Sequence, residues 1–141
     1  MEWMSAAAVF VGGGLGAVLR YYLERFLAPH RTPDALTSAV FVINVLGSLT
    51  LGIVGAAVNV LGGQDAVAYA GLSVGLLGGF TTFSTAMVEA VQALLAARYA
   101  RFVMLWLVQP TLSLIVLITG YAAAAAVLLA VFSARGYAYS R

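Results

Sequence analysis

Charged residues divide the chain into long apolar stretches. Uncharged runs extend from Met4 to Leu19, Ala35 to Gln64, Ala66 to Val88 and Phe102 to Ala134. Each is close to or above the roughly 20 residues that a helix needs to cross a ~30 Å hydrocarbon layer. The pattern predicts four transmembrane helices, over residues 5–26, 36–61, 66–97 and 101–132, with a break in the third near 78–85. Little chain is left outside them, so residues 1–141 read as one all-α integral membrane domain.

Inside the spans the polar positions are few and grouped. Asn44 and Ser48 lie one helical turn apart on the second helix, and Gln109 and Ser113 repeat that spacing on the fourth. Each pair can line one track. Polar groups at membrane depth cost free energy, so they face a bundle interior or an aqueous cavity. Asn44 has a second reading as a hydrogen-bonded link between helices. Ser48, Thr111 and Ser113 can satisfy themselves on the carbonyl one turn back.

The third span departs most from a lipid-facing helix. It reads Gly78-Gly79-Phe80-Thr81-Thr82-Phe83-Ser84-Thr85, with paired glycines and hydroxyls in the middle of an apolar segment. This suits a helix broken at the midplane that exposes main-chain groups. The first half-helix would offer carbonyl oxygens to a cation. The second, near Ser84 and Thr85, would offer donors and the positive end of its dipole to an anion. A continuous glycine-packed helix with back-bonded threonines is the bland alternative. Phe80 and Phe83 read either as bundle packing or as ring edges that meet an anion.

Glycine and proline punctuate the rest. Gly12 and Gly16 form a small-xxx-small pair on the first helix, which allows another backbone to approach closely. Pro29 and Pro33 mark a turn that contains His30, to which no role is assigned. Leu61-Gly62-Gly63 stops the second helix.

Composition narrows the chemistry. The chain is 63% hydrophobic and 9% charged, with a mean hydropathy of +1.02, more apolar surface than a soluble domain of 141 residues can hide. It has no cysteine, hence no disulfide framework or thiolate site. Met1-Glu2-Trp3 carries no basic segment of the kind that opens a signal peptide, so the first helix is expected to be retained. The net charge of +2 comes from arginines near the span ends. Arg25, Arg31, Arg98 and Arg101 fall on one side and Arg135 and Arg141 on the other, a small bias compatible with insertion in either orientation. Arg20, near the end of the first helix, either draws anions toward a vestibule or snorkels to headgroups. Glu89 is either a carboxylate at a helix end or a proton site. With donors, an arginine and ring edges but no nucleophile, base or metal cluster, the residues favour passive anion passage over catalysis, and nucleic-acid binding has no domain to house it.

The segments GGGLGAVLRY (Gly12 to Tyr21), NVLG (Asn44 to Gly47) and GGFTTFST (Gly78 to Thr85), in that order, resemble the Fluc, or CrcB, fluoride channels of bacterial plasma membranes. The resemblance covers all four spans. It implies an antiparallel, dual-topology dimer with two fluoride pores and a structural, non-transported sodium ion at the two-fold axis. Gly78 and Thr81 would hold that Na+ through backbone carbonyls. Asn44, Phe83, Ser84 and Thr85, with Gln109 and Ser113 of the fourth-helix track, would line the fluoride pore, and Arg20 would stand at the vestibule. Fluoride holds its water tightly, so closely spaced donors must replace its hydration.

The chain departs from the family pattern at four positions. Ala86 stands where a second pore phenylalanine is common, Leu105 where tyrosine is usual, Gln109 where serine is usual and Val40 where threonine is frequent. A homodimer is expected, and a heterodimer whose partner supplies the missing ring is the alternative. Two other classes stay open: a proton-coupled four-helix transporter built on Glu89, and a noncatalytic membrane scaffold.

Overall fold

A computed structural model describes residues 2–28, 35–61 and 66–134. His30, Arg31, the Gly62-Gly63 stop, Arg135 and Arg141 lie outside the described residues. Every regular element among the described residues is helical, and four spans are long and apolar enough to cross a membrane. The first is α1 (Glu2–Leu27) and the second α2 (Ala39–Leu61). The third begins as α3 (Ala66–Tyr69), passes through a π-helical stretch (Ala70–Leu77) into α4 (Gly78–Phe80), breaks, and resumes as α5 (Phe83–Leu95). The fourth comprises α6 (Tyr99–Val103), a π-helical turn (Met104–Val108) and α7 (Gln109–Ala134).

α2 starts at Ala39, three residues later than the hydrophobic pattern predicts. Ser38 is the reason: its Oγ accepts the Phe41 N–H at 3.1 Å, so the helix begins at its cap. α2 then packs along α7, while α1 packs against the first half of the third span.

Glycine sets both contacts. A Cβ on Gly12 would lie 2.2 Å from the Gly71 carbonyl oxygen, and one on Gly16 would lie 2.0 Å from that of Leu76. The opposing helix answers with Gly75, whose Cβ would meet the Val9 carbonyl at 2.8 Å, and Gly79, whose Cβ would meet that of Gly13 at 2.3 Å. Gly71, Gly75 and Gly79 recur every four residues and so share one face. The Gly12–Gly16 pair thus meets a three-glycine stripe. Between α2 and α7 the same device recurs at Gly52, 2.3 Å from the Leu117 carbonyl by the same measure, and at Gly120, 2.8 Å from Leu49 Cδ1.

The π-helical turn before Gln109 follows from Pro110. Proline has no N–H, so it cannot pair with the carbonyl of Trp106 four residues back or that of Leu105 five back. The helix widens there, and the Gln109 N–H reaches Met104 O. Leu105 sits in the core with Phe41 and Ala90, flanked by Val45, Phe102, Met104 and Leu112. Gln109 is 3% exposed, whereas Thr111 turns outward and donates to the Leu107 carbonyl at 2.8 Å.

α5 ends in a tight turn in which Arg98 N donates to Ala93 O at 2.8 Å and Ala97 N to Leu94 O at 3.0 Å. This 6→1 and 5→2 pairing requires a left-handed residue, and here it is an alanine, Ala97, with φ 56°. Glycine adopts that conformation without the Cβ penalty. Ala97→Gly should therefore stabilise the protein by about 1 kcal/mol, read as a rise in the unfolding midpoint in detergent.

Candidate functional site

The break in the third span falls on two β-branched residues in extended conformation, Thr81 (φ −85°, ψ 154°) and Thr82 (φ −147°, ψ 120°). Gly78 and Gly79, the first candidates for the break, are still helical. Gly79 is small to fit against α1, and Gly78 is exposed with open space beside its Cα.

A side chain from another helix holds the break. Asn44 Nδ2 donates to the Thr82 carbonyl at 2.8 Å, and Asn44 Oδ1 accepts the Thr82 N–H at 2.9 Å. The primary amide thus pairs with both polar groups of one residue, as a neighbouring backbone strand would. Gly47, three residues on and on the same face of α2, clears the space: a Cβ there would lie 2.5 Å from Thr81 Cγ2 and 3.1 Å from the Phe80 ring. The NVLG segment therefore reads as one clamp atom group and one clearance.

Thr82 is also the N-cap of α5. Its Oγ1 accepts the Thr85 N–H at 3.4 Å and lies 3.3 Å from Ser84 Oγ and 3.2 Å from Thr85 Oγ1. Carbonyls ahead of the break lose their usual partners as a consequence. The Thr82 amide that would bond Gly78 O in a continuous helix goes to Asn44, and the Thr85 amide that would bond Thr81 O goes to Thr82 Oγ1.

Beside the break lies a cleft of about 450 Å³. Asn44, Ser48, Gly78, Thr81, Phe83, Gln109 and Ser113 line it, so residues singled out in the sequence converge on one space. Arg20, Ser84 and Thr85 are not among the lining residues. Arg20 is half-buried on α1 with its Nε unpartnered, Ser84 is exposed, and Thr85 is tied to the cap.

Among the described residues no charged side chain lines the cleft, so what they offer there is neutral polar groups. Asn44 has one N–H left after its pairing with Thr82. Gln109 Oε1 and Ser113 Oγ are buried without a partner. Phe83, 67% exposed, opens α5 at the edge of the cleft and places the positive end of that helix there.

Residues 7–121 match the family described as CrcB-like protein, Camphor Resistance (CrcB). The chain belongs to this family. It is 41% identical over 86 residues to a protein of Novosphingobium aromaticivorans, covering 60% of this chain and 68% of that one. A Methylobacterium nodulans protein is 39% identical over 87 residues, with 62% and 68% covered. A Cutibacterium acnes protein is 45% identical over 92 residues, with 64% and 72% covered. The first two carry the name fluoride-specific ion channel FluC and the third fluoride-specific ion channel FluC 2. With four spans able to cross the bilayer, this CrcB-family chain is a multi-pass membrane protein.

Two residues of the site escaped the sequence reading. Thr82 is its hinge, and the available signal was a threonine directly before a helical Phe-Ser-Thr turn, a standard N-cap position. Ser73 also lines the cleft, from within the π-helical stretch, where it donates to the Tyr69 carbonyl. A single serine in an apolar run carries no signal that sets it apart from a back-bonded one.

Ala86 is 1% exposed. This position therefore packs inside the chain, while Phe83 stands out from it.

Proposed function

We propose that this chain is a fluoride channel that lets fluoride leave the cell passively across the bacterial plasma membrane, working as an antiparallel dual-topology dimer. It is a channel and not an enzyme, as its family membership and the names of its relatives support. The observation that carries the reading is the break itself. Asn44 clamps Thr82 and keeps one amide proton for the cleft, next to the unpartnered hydroxyl of Ser113. An anion with tightly held water enters such a space only if donors replace its hydration, and neutral donors bind it weakly enough to let it go.

Gly78 and Thr81 fit a structural sodium ion. Their carbonyls are among those that lose their helical amide partners at the break, and hard oxygen donors suit a hard cation. Gly78 is exposed with nothing within 4 Å of a Cβ placed on it, which leaves room for the same segment of a second copy. Bound there, sodium would supply positive charge that holds two breaks together.

The test is fluoride efflux from potassium-fluoride-loaded liposomes containing the purified protein, triggered by valinomycin, with chloride-loaded liposomes as the control. Rapid efflux of fluoride but not chloride is expected. Equal rates for both ions, or none from folded protein, would reject the reading.

A proton-coupled transporter would need a carboxylate in the cleft, and among the described residues none that lines it is acidic. Glu89 instead borders a separate pocket of about 160 Å³ with Gln92, Arg98 and Arg101. Glu89→Gln should therefore leave fluoride efflux within about twofold of the wild-type rate and create no pH-driven uptake in the same liposomes.

A further inference from the structure

A second cleft, of about 400 Å³, lies further along the same two helices. It is bordered by Leu51, Gly55 and Asn59 of α2, Leu117 and Tyr121 of α7, and Tyr69. Leu51 also lines the first cleft, so the two spaces meet at one side chain.

The sequence spacing makes them a single track. On α2, Asn44, Ser48, Leu51, Gly55 and Asn59 follow one another at intervals of three or four residues, and on α7 Gln109, Ser113, Leu117 and Tyr121 recur every four. Polar residues stand at both ends of each row and leucines between them. At the level of the leucines the helices approach closely: a Cβ on Gly52 would lie 2.3 Å from the Leu117 carbonyl oxygen. The junction is therefore a narrow, apolar neck.

Beyond the neck the polar groups are again donors without charge. Asn59 Nδ2 donates to the Tyr121 hydroxyl at 2.7 Å, so that oxygen is engaged as an acceptor and its own proton remains free to give. Asn59 keeps a second N–H and is exposed. Among the described residues no charged one borders this cleft either.

We infer that the second cleft is the outer half of the ion path, that Leu51 is the apolar gate between the halves, and that Tyr121 and Asn59 solvate a small, strongly hydrated anion as it passes the neck. The inference rests on the channel reading above. A wide donor-lined space on each side of a short apolar neck lets the anion exchange one set of donors for the next without a full dehydration step, and apolar necks of this kind control passage by wetting and drying. A weakly held anion moves on, which neutral donors permit.

The test uses the full chain in liposomes at low ionic strength. Leu51→Trp fills the neck and should slow fluoride efflux by at least about tenfold, whereas Leu51→Ala should not slow it. Tyr121→Phe removes one hydroxyl from a ring that keeps its shape and should slow efflux several-fold. Asn59 is exposed, so Asn59→Asp and Asn59→Lys leave the packing intact. Asp should slow efflux and Lys should not, and the gap should narrow when impermeant salt is added, because such fields are screened.

Equal rates for the Asn59→Asp and Asn59→Lys proteins, with Tyr121→Phe like wild type, would overturn the inference even if Leu51→Trp lost activity. Lipid retained in the cleft with unchanged flux would overturn it as well. A wild-type protein that conducts no fluoride would instead reject the channel reading beneath it.

Discussion

Asn44→Ala is expected to abolish fluoride efflux and to lower stability by about 1–3 kcal/mol, the cost of a buried polar group left unsatisfied, since this change strands the Thr82 N–H. The Thr82 N–H and C=O both bond the Asn44 amide, and Asn44 itself is 8% exposed. No water of a bulk phase replaces that amide in an apolar bundle, so the break either collapses toward helix or loosens. Collapse would pull Thr82 from the cap of α5 and Phe83 from the edge of the cleft. Asn44→Asp keeps the acceptor for the Thr82 N–H but sets a carboxylate oxygen against the Thr82 carbonyl, so it should also lose efflux. Denaturant midpoints in detergent and efflux from liposomes, measured side by side, check both parts. A folded Asn44→Ala protein with wild-type efflux would show that the clamp is dispensable for conduction.

Gly16→Ala should destabilise the protein by about 1–3 kcal/mol or more, the usual cost of forced overpacking. The added Cβ would lie 2.0 Å from Leu76 O and 2.8 Å from Phe80 N, both backbone atoms that no rotamer change can move aside. The shift would travel directly into the break, because Phe80 is the residue before Thr81. Efflux should fall together with the unfolding midpoint. Gly14→Ala is the matched control: nothing lies within 4 Å of its Cβ, so the change should be neutral or stabilise the helix by up to about 1 kcal/mol. Equal effects of the two substitutions would mean that the crossing of α1 with the third span tolerates separation.

The four spans were legible because uncharged run length is a direct physical requirement of the bilayer and needs no knowledge of neighbours. The region of the break was legible for the same reason, as hydroxyls and glycines in mid-span are costly unless something uses them. The position within that region was not. Gly78-Gly79 is the weaker helix former by propensity, yet the helix runs through both and ends at Thr81, where Asn44 of α2 supplies the amide that lets Thr82 leave the helical ladder. A contact across 38 residues of chain leaves no trace in local propensity.

Glycines divide in the same way. Gly12 and Gly16 announced a packing face by their spacing, but the partner stripe of Gly71, Gly75 and Gly79 lies in a run where glycine also reads as a flexible or cation-binding element. Only the crossing of the helices separates Gly79, pressed on the Gly13 carbonyl, from its neighbour Gly78, which faces open space. Likewise Gln109 and Ser113 point into the cleft and Thr111 away from it, a distinction that helical spacing suggests and the π-helical turn ahead of Pro110 completes.

By itself the sequence determined the medium, the number of spans and the set of polar residues that had to be accounted for inside them, because hydrophobicity and the cost of burying polar groups act on each residue separately. The tertiary structure alone decided which of those residues share a space. Asn44, Thr82, Gln109 and Ser113 meet because glycines let the helix backbones approach and one amide stands in for a missing main-chain acceptor, while Arg20, Ser84 and Thr85, equally prominent in the sequence, are turned elsewhere. Convergence is a property of how helices cross, and crossing is set by contacts between residues that the chain holds far apart.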